Sequence, residues 1–247
     1  MTMPRIKAVL AYDGTAFAGY QVQPNARTVQ GEIEAALKKM HKETAIRIYA
    51  SGRTDAGVHA AGQVIHFDTT LNIKEQNWLK AFQALLPDDI VVHHIEYVQD
   101  DFHARFHAKK KEYRYRLFTK PFPDVFRRNY TLHVPYTLDI NAMKEAMAFI
   151  VGTHDFTSFC ASKTNVEEKT RTIFEADILE EDGELIFRFV GNGFLYNMVR
   201  ILVGTLLEIG KKERSPLDMA EILEAKSREK AGATAPAHGL VLWSVHY

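Results

Sequence analysis

Hydrophobic and polar positions follow one another along the chain in two blocks that repeat one order of strands and helices. In the first block, β-branched and apolar runs predict strands, and apolar residues at helical spacing predict helices. The predicted elements are a strand at 6–12, a helix at 29–40 capped by Thr28, strands at 46–50 and 63–67, a helix at 75–86 and a strand at 90–98. This β-α-β-β-α-β order is that of the ferredoxin-like unit.

The second block starts near Lys110 and follows the same plan with one more helix. Its predicted elements are a strand at 111–119, a helix at 140–151 between a cap at Asp139 and a stop at Gly152, a hairpin of strands 170–179 and 184–190, a helix at 194–209, a helix that Ser215 caps, and a strand at 240–246. We therefore expect an α+β protein with domains at 1–106 and 107–247. The two are predicted to be rigidly joined, because residues 100–110 contain no flexible linker.

Composition adds few constraints. The 247 residues have 46% hydrophobic and 25% charged content and a formal net charge of zero, which predicts a globular protein without an overall field for nucleic acid. Cys160 is the single cysteine, so no disulfide forms within the chain, and its apolar neighbours indicate a buried side chain. Neither a secretory signal nor an apolar run of membrane-spanning length is visible, so we expect no membrane partner and a cytoplasmic location.

One segment is far more basic than the chain as a whole. Its cations are Arg105, Lys109, Lys110, Lys111, Arg114, Arg116, Lys120, Arg127 and Arg128, opposed by Glu112 and Asp124 and interleaved with Tyr113, Tyr115, Phe118, Phe122 and Phe126. Cationic side chains neutralise phosphates and aromatic rings stack on unpaired bases, so the segment predicts an RNA-binding surface. The alternation at 113–117 is also typical of a solvated strand whose aromatic face packs inward, and the two interpretations are compatible.

The strongest candidate for chemistry is the run Gly52-Arg53-Thr54-Asp55-Ala56-Gly57-Val58-His59-Ala60. Two glycines in the loop allow backbone to approach a ligand closely. The arginine two residues before Asp55 favours an ionised carboxylate, and an ionised, partly dry aspartate is a competent nucleophile. The alternative is that Asp55 caps a helix or forms an Asx-turn.

Motifs for other chemistries are missing from the sequence. It has no CxxC or HExxH pattern, no GxxxxGK[ST] or GxGxxG loop and no GxSxG elbow, so we expect no metal and no cofactor. His103 and His107 are four residues apart, but no further ligands follow at metal-binding spacing. Arg200 lies in the apolar stretch 194–203, where it either reaches solvent at the helix edge or pairs with Asp55.

Several motifs together resemble the tRNA pseudouridine synthase A family. The loop at 52–59 resembles its active-site motif, and the other similar segments are Tyr12-Asp13-Gly14-Thr15-Ala16-Phe17 with Gly19, Arg27-Thr28-Val29-Gln30, residues 101–106 with 113–115, Asp155-Phe156-Thr157-Ser158-Phe159, residues 192–200 and residues 235–240. The resemblance spans nearly the whole chain, and the ordered set is more specific than any single motif. One departure is Tyr20, where the family usually has tryptophan after the glycine.

The resemblance implies a homodimeric isomerase that converts uridine to pseudouridine at positions 38, 39 and 40 of the tRNA anticodon stem-loop, with tRNA as partner and no cofactor. It implies two ferredoxin-like halves related by a pseudo-twofold axis and joined in an extended antiparallel sheet with helices on one side. Asp55 is the implied nucleophile, attacking either C6 of the base or C1′ of the ribose. The other implied catalytic residues are Arg53, Tyr113 and Arg200, and the implied substrate-binding residues are Tyr113, Arg114, Lys109, Lys110, Lys111 and His59.

Rival functions come from other classes of protein. A non-catalytic RNA-binding protein is the main alternative, and it is disfavoured because phosphates repel an acidic group placed in an RNA cleft. A pseudouridine synthase that acts on another RNA is a second alternative. A glycoside hydrolase requires two well-placed carboxyl groups, and the motif around Asp55 supplies one.

Overall fold

The computed structural model describes residues 3–162, 164 and 166–247. The chain divides into two compact units, unit 1 with Met1–Lys109 and Leu242–Tyr247, and unit 2 with Lys110–Val241. Both units are mixed α/β with mostly antiparallel strands, so the predicted α+β class is confirmed. No helix in the described ranges combines the length and the apolar content that crossing a membrane requires.

Unit 1 follows the predicted order of strands and helices. Its elements are β1 (Arg5–Tyr12), α1 (Val29–Met40), β2 (Tyr49–Ala50), β3 (His59–Asp68), α2 (Glu75–Leu85) and β4 (Ile90–Val98). The strands lie side by side in the order β4, β1, β3 and β2, each antiparallel to its neighbour. The predicted cap of α1 is confirmed, because Thr28 Oγ1 accepts the N–H of Gly31 at 3.2 Å.

One face of the unit 1 strands packs against helix α2. Ile6 of β1 lies opposite Phe67 of β3 in the strand register, and both are fully buried. The ring of Phe67 contacts Trp78 and Phe82 of α2, at centroid distances of 5.6 and 6.4 Å. Successive residues of a strand point to opposite faces, so His66 lies on the face away from this core.

Unit 2 repeats the plan around a longer hairpin. Its elements are β5 (Lys110–Phe118), β6 (Leu132–His133), α3 (Ile140–Ala148), β7 (Gly152–Asp155), β8 (Thr170–Glu181), β9 (Glu184–Gly191), α4 (Met198–Gly210) and α5 (Asp218–Ala225). The antiparallel order is β5, β9, β8 and β7, while the short β6 runs parallel to β5. The last strand, β10 (Leu240–His246), has Leu240 and Val241 in unit 2 and its remaining residues in unit 1.

Two predicted helix starts were wrong. The helix predicted from residue 194 begins at Met198, because Asn197 has a left-handed backbone with φ of 60°, which a helix interior does not admit. The helix predicted with Ser215 as its cap begins at Asp218. Ser215 donates its N–H and hydroxyl to the Asp218 carboxylate at 3.0 and 3.1 Å, so its side chain is not the acceptor that a cap requires.

The strands around the glycine loop and after α3 also differ from prediction. The strand predicted at 46–50 is reduced to Tyr49–Ala50, and β3 starts at His59, so the end of the motif is already strand. The predicted cap of α3 at Asp139 is confirmed, since its carboxylate accepts the N–H of Ala142 at 3.1 Å. Gly152, predicted only as a stop, begins β7 with a positive φ of 113°.

Candidate active site

The loop that carries Asp55 joins β2 to β3 in unit 1. Its turn is closed by the N–H of Val58, which donates to the carbonyl of Asp55 at 3.1 Å, and Gly57 takes a positive φ of 76° there. A helix cap at Asp55 is excluded, because the next element is strand β3. The side chain of Asp55 is half-buried, a partly dry position that suits a nucleophile.

A buried polar network holds the loop from beneath. The hydroxyls of Tyr12 and Thr54 share a hydrogen bond of 2.7 Å. The amide of Gln63 donates to the carbonyl of Gly52 at 2.9 Å and accepts the hydroxyl of Ser51 at 2.7 Å. Gln63 and Ser51 are fully buried, and burial raises the pKa of Tyr12 to about 12. Because each of these buried groups has a partner, the backbone on the N-terminal side of Asp55 is fixed.

The chain between β1 and α1 clamps the loop from the other side through main-chain contacts. The N–H of Tyr20 donates to the carbonyl of Thr54 at 3.0 Å. Gly19 has a positive φ of 107°, and a Cβ there would lie 3.1 Å from the same Thr54 oxygen. A Cβ on Gly14 would lie only 2.1 Å from the carbonyl oxygen of Val58. Glycine at these two positions therefore allows the backbone-to-backbone approach that fixes the Asp55 loop.

The end of the motif is anchored by His59. Its ring is 3% exposed, and its Nδ1 accepts the N–H of Gly14 at 2.9 Å. Asp13 Oδ1 lies 3.2 Å from the same nitrogen and also accepts the N–H and hydroxyl of Thr15. These contacts connect the start of β3 to the residues that directly follow β1. The predicted role of His59 in substrate binding stays a prediction, and the geometry shows an anchor.

Arg53 differs from these buried anchors. Its side chain is exposed, and in the part of the chain that the structure describes it forms no ion pair. The prediction that Arg53 stabilises the charge of Asp55 therefore finds no contact to support it. An exposed arginine beside a candidate nucleophile is instead available to a phosphate of an RNA ligand.

Tyr20 fills the space beside Tyr12. Their ring centroids are 6.4 Å apart, and the Tyr20 side chain is 3% exposed. Burial holds the pKa of the Tyr20 phenol well above its ordinary value, and its hydroxyl finds no hydrogen-bond partner among the described residues. The ring therefore supports the loop by packing, while the hydroxyl adds an uncompensated desolvation cost.

In unit 2, Tyr113 and Arg114 are consecutive residues of β5. Side chains of consecutive strand residues point to opposite faces, so a single base lying on one face of β5 contacts only one of the two. Tyr113 is buried, and its ring meets Phe194 edge-on at 5.1 Å. Arg114 is half-buried and donates Nε to Glu112 at 2.7 Å.

The basic segment is neutralised more fully than the sequence indicates. Glu184 of β9 is 2% exposed and accepts Arg116 Nε and Arg127 Nη1, both at 2.7 Å. Glu112 also lies 3.3 Å from Arg188, so it serves two arginines. The pairs Arg116–Glu184 and Glu112–Arg188 are distant in sequence and become neighbours through the register of β5 with β9. This face of unit 2 is therefore a network of ion pairs as well as a basic surface.

The three predicted lysine contacts lie at and just before the start of β5. Lys109 and Lys110 are exposed and Lys111 is half-buried. Lys110 Nζ lies 5.3 Å from the ring centroid of Phe174, a cation–π contact that leaves the ammonium at the surface. Exposed ammonium groups at a strand end suit phosphate binding.

Arg200 lies in the first turn of α4 and does not extend freely into solvent. It is half-buried, and its Nε donates to the carbonyl of Ala235 at 2.7 Å while its Nη1 donates to Asn197 Oδ1 at 3.0 Å. Two bonds fix the plane of the guanidinium, which suits an arginine that positions a carboxylate. Asn197 thus has a function that the sequence did not reveal, and its left-handed backbone is the local signal.

The described residues contain no group of three or more histidine, cysteine, aspartate or glutamate side chains placed to hold a metal ion. Cys160 is 3% exposed and burial raises the pKa of its thiol, so the predicted buried position is confirmed.

The chain is similar to known proteins over nearly its whole length. A family model described as tRNA pseudouridine synthase matches residues 8–107 and 146–247. The tRNA pseudouridine synthase A of Geobacillus kaustophilus (strain HTA426) is 59% identical over 243 residues, which cover 98% of this chain and 94% of that relative. The enzyme of the same name from Anoxybacillus flavithermus (strain DSM 21510 / WK1) is 59% identical over 245 residues, which cover 99% of each chain.

Proposed function

The chain belongs to the tRNA pseudouridine synthase family, and on this premise we propose that it isomerises uridine to pseudouridine in tRNA. The observation that carries the proposal is the 59% sequence identity, over nearly the full length, to a tRNA pseudouridine synthase A. The geometry agrees with it, because Asp55 lies half-buried on a loop that side-chain and main-chain contacts hold from two sides.

The reaction needs a nucleophile and a way to hold a detached base. The bond from N1 of uracil to C1′ of ribose breaks, the base turns, and C5 bonds to C1′ while the C5 hydrogen leaves as a proton and N1 gains one. Asp55 provides the nucleophile, and attack at C6 of the base or at C1′ of the ribose both satisfy this balance. Because atoms are only rearranged within the substrate, the reaction consumes no co-substrate.

The uridine must leave the base stack before Asp55 reaches it, at a cost of a few kcal/mol. In the proposal, Arg53 holds the opened RNA, since its exposed guanidinium is available to phosphate. Tyr113 lies against the everted base and moves a proton, and Arg200 pairs with Asp55 and favours its charged form. The RNA backbone is bound by Lys109, Lys110, Lys111 and Arg114, with His59 at the edge of the site.

The finer parts of the proposal follow the family resemblance. The substrate is the anticodon stem-loop of tRNA, modified at positions 38, 39 and 40. The enzyme acts in the cytoplasm, where its tRNA substrate is found, and as a homodimer. Mapping pseudouridine in tRNA from cells that lack the protein tests the positions, and light scattering of the purified protein tests the dimer.

The nucleophile is tested with a tRNA transcript that carries tritium at C5 of uridine. Wild-type protein should release the label, and Asp55→Asn should reduce release by about a thousandfold or more while binding the transcript with unchanged affinity. Asp88→Asn, which removes an exposed carboxylate elsewhere in unit 1, is the matched control and should release label as wild type does. Substantial release by Asp55→Asn would contradict the proposed nucleophile. Binding without release by the wild-type protein would instead favour a non-catalytic RNA-binding protein.

A further inference from the structure

A group of aromatic and imidazole rings lies on unit 1, on the face of β3 that points away from α2. We call Tyr49, His66, His103 and Phe106 the ring platform. Tyr49 stacks on His66 at a centroid distance of 5.1 Å and an interplanar angle of 18°, and His103 lies 4.7 Å from His66 and 5.8 Å from Tyr49. Phe106 extends the group, 4.2 Å from His103. None of these residues belongs to the proposed catalytic set.

The outer members of the ring platform are open to solvent. Phe106 is 73% exposed and Tyr49 is 43% exposed, although both are large and apolar. His66, at 2% exposed, forms the base on which the others rest. Exposed rings that are already held in place by ring contacts give up little conformational freedom when a planar ligand stacks on them.

Two arginines flank the ring platform. The guanidinium of Arg47 lies 5.4 Å from the ring centroid of Tyr49, and that of Arg105 lies 5.8 Å from Phe106. Both arginines are exposed, and no carboxylate pairs with either one within the described parts of the chain. Each therefore has N–H donors available to a phosphate while its guanidinium carbon remains close to a ring.

The imidazoles are suited to stacking as neutral rings. Nδ1 of His103 accepts the N–H groups of Arg105 and Phe106, at 3.1 and 3.4 Å, which fixes the ring and leaves the proton on Nε2. Burial, followed by repulsion from Arg5, lowers the pKa of His103. Burial also lowers the pKa of His66 to about 4. The positive charge of this surface at neutral pH thus comes from the arginines.

We propose that the ring platform, with Arg47 and Arg105, binds an unpaired nucleotide of the RNA substrate, stacking its base on Phe106 and Tyr49 and holding its phosphate between the arginines. The inference rests on the proposed function, which makes RNA the ligand of this chain. Asp55 is six positions after Tyr49, so the two Cα atoms lie at most about 20–22 Å apart even if the chain between them is fully extended. A nucleotide bound here is therefore a second anchor close to the target uridine.

A cluster of rings with two exposed arginines beside it matches RNA better than it matches a protein partner. Unpaired bases offer flat faces for stacking, and phosphates offer oxygens for guanidinium groups. A helical or apolar protein segment would match the rings but would leave both guanidinium groups without a partner. An acidic peptide is the competing ligand, and it is included as an arm of the test.

The test measures binding of an unmodified tRNA transcript to the full-length protein across a salt series. Phe106→Ala should weaken binding about tenfold with an unchanged salt slope, because it removes a stacked base and no charge. Arg47→Gln and Arg105→Gln should each reduce the slope of log affinity against log salt by about one. Leu217→Ala, at 60% exposure and outside the basic segment, and Lys39→Gln on α1 are the matched controls and should bind as wild type.

Three outcomes would overturn the inference. The first is wild-type binding of tRNA by Phe106→Ala together with unchanged salt slopes in both arginine variants. The second is an equal loss of affinity for a fully paired RNA duplex, which offers no free base to stack. The third is that polyglutamate binding depends on Phe106 while tRNA binding does not, which would assign the surface to an acidic peptide. Phe106 is exposed, so its removal should leave the thermal midpoint unchanged.

Measuring KM and kcat for tritium release distinguishes failure of this inference from failure of the proposed function. The platform variants should raise KM for tritium release and leave kcat at saturating tRNA unchanged, since they bind substrate away from the reacting atoms. Loss of release by Asp55→Asn with normal binding by the platform variants would retain the enzyme and reject the platform. Weaker binding by the platform variants in a protein that never releases label would reject the enzyme and retain the platform.

Discussion

Tyr12 and Tyr20 give a matched pair of substitutions that tests how the Asp55 loop is held. Both phenols are buried beside each other, at 4% and 3% exposure. The Tyr12 hydroxyl bonds to Thr54 at 2.7 Å, whereas the Tyr20 hydroxyl has no partner among the residues described. Replacing either residue by phenylalanine removes one oxygen atom and retains the ring. The two variants therefore differ in the hydrogen bonds of the Tyr12 hydroxyl, which also accepts a longer bond from the Gln63 amide at 3.5 Å.

The expected magnitudes follow from that difference. Tyr12→Phe leaves the hydroxyl of Thr54, which is 7% exposed, without its partner, and a buried group left unsatisfied costs about 1–3 kcal/mol. For a chain of this length that lowers the thermal midpoint by roughly 2–12 °C. Tyr20→Phe removes a hydroxyl that is buried away from water and makes no hydrogen bond among the described residues. The free energy of unfolding of this variant should therefore be unchanged or up to about 1–3 kcal/mol higher than that of wild type.

Turnover should follow the same order. Thr54 precedes Asp55 directly, and a small displacement of a reacting group reduces rates by about a hundredfold. We expect Tyr12→Phe to reduce kcat for tritium release by about ten- to a hundredfold with little change in KM, and Tyr20→Phe to match wild type. Urea unfolding, thermal melting and the release assay measure these quantities. Equal losses in both variants, or no loss in Tyr12→Phe, would show that the buried network does not position the loop.

Two further predictions concern packing and pH. Gly14→Ala should destabilise the protein by more than about 3 kcal/mol in urea unfolding, because the added Cβ would lie 2.1 Å from the Val58 carbonyl oxygen. Gly193→Ala is the control and should fold normally, because its Cβ would meet only the Arg171 side chain, at 3.7 Å. Burial lowers the pKa of His66 from 6.5 to about 4 in the folded protein. Between these two pH values the unfolded chain binds a proton at His66 and the folded protein does not. The contribution of His66 to the free energy of unfolding is therefore fully present above pH 6.5 and is lost as the pH falls to about 4. After solvent screening the loss should be about 1–2 kcal/mol, and His66→Asn should lack that slope in unfolding measured between pH 7 and pH 4.5.

Local pattern was sufficient for much of the fold. The strands predicted at 90–98 and 240–246 match β4 and β10 at both ends, and the caps at Thr28 and Asp139 are both occupied as predicted. Each of these features depends on residues within a few positions of one another, such as a hydroxyl three residues before the N–H that it accepts. The late start of α4 was missed because a single left-handed residue, Asn197, interrupts an otherwise apolar stretch.

The site depended on contacts that no local pattern contains. Tyr12 and Thr54 are 42 residues apart, and Arg116 and Glu184 are 68 apart. The register of the strands brings them together, so the neutralisation of the basic segment could not be predicted from its own composition. The sequence did mark Gly14 as a residue of interest, because it lies in a segment that resembles the family.

The main-chain clamp on the Asp55 loop has a consequence for how this protein tolerates change. Amide and carbonyl groups are the same in every residue, so exchanging an exposed side chain such as Gln23 or Thr15 leaves the contacts of residues 14, 19 and 20 in place. Adding or deleting one residue between Gly14 and Tyr20 would instead shift these contacts relative to one another by a whole peptide unit. Variation between residues 14 and 20 is therefore expected as substitution at constant length, and insertions are expected in exposed turns outside that segment.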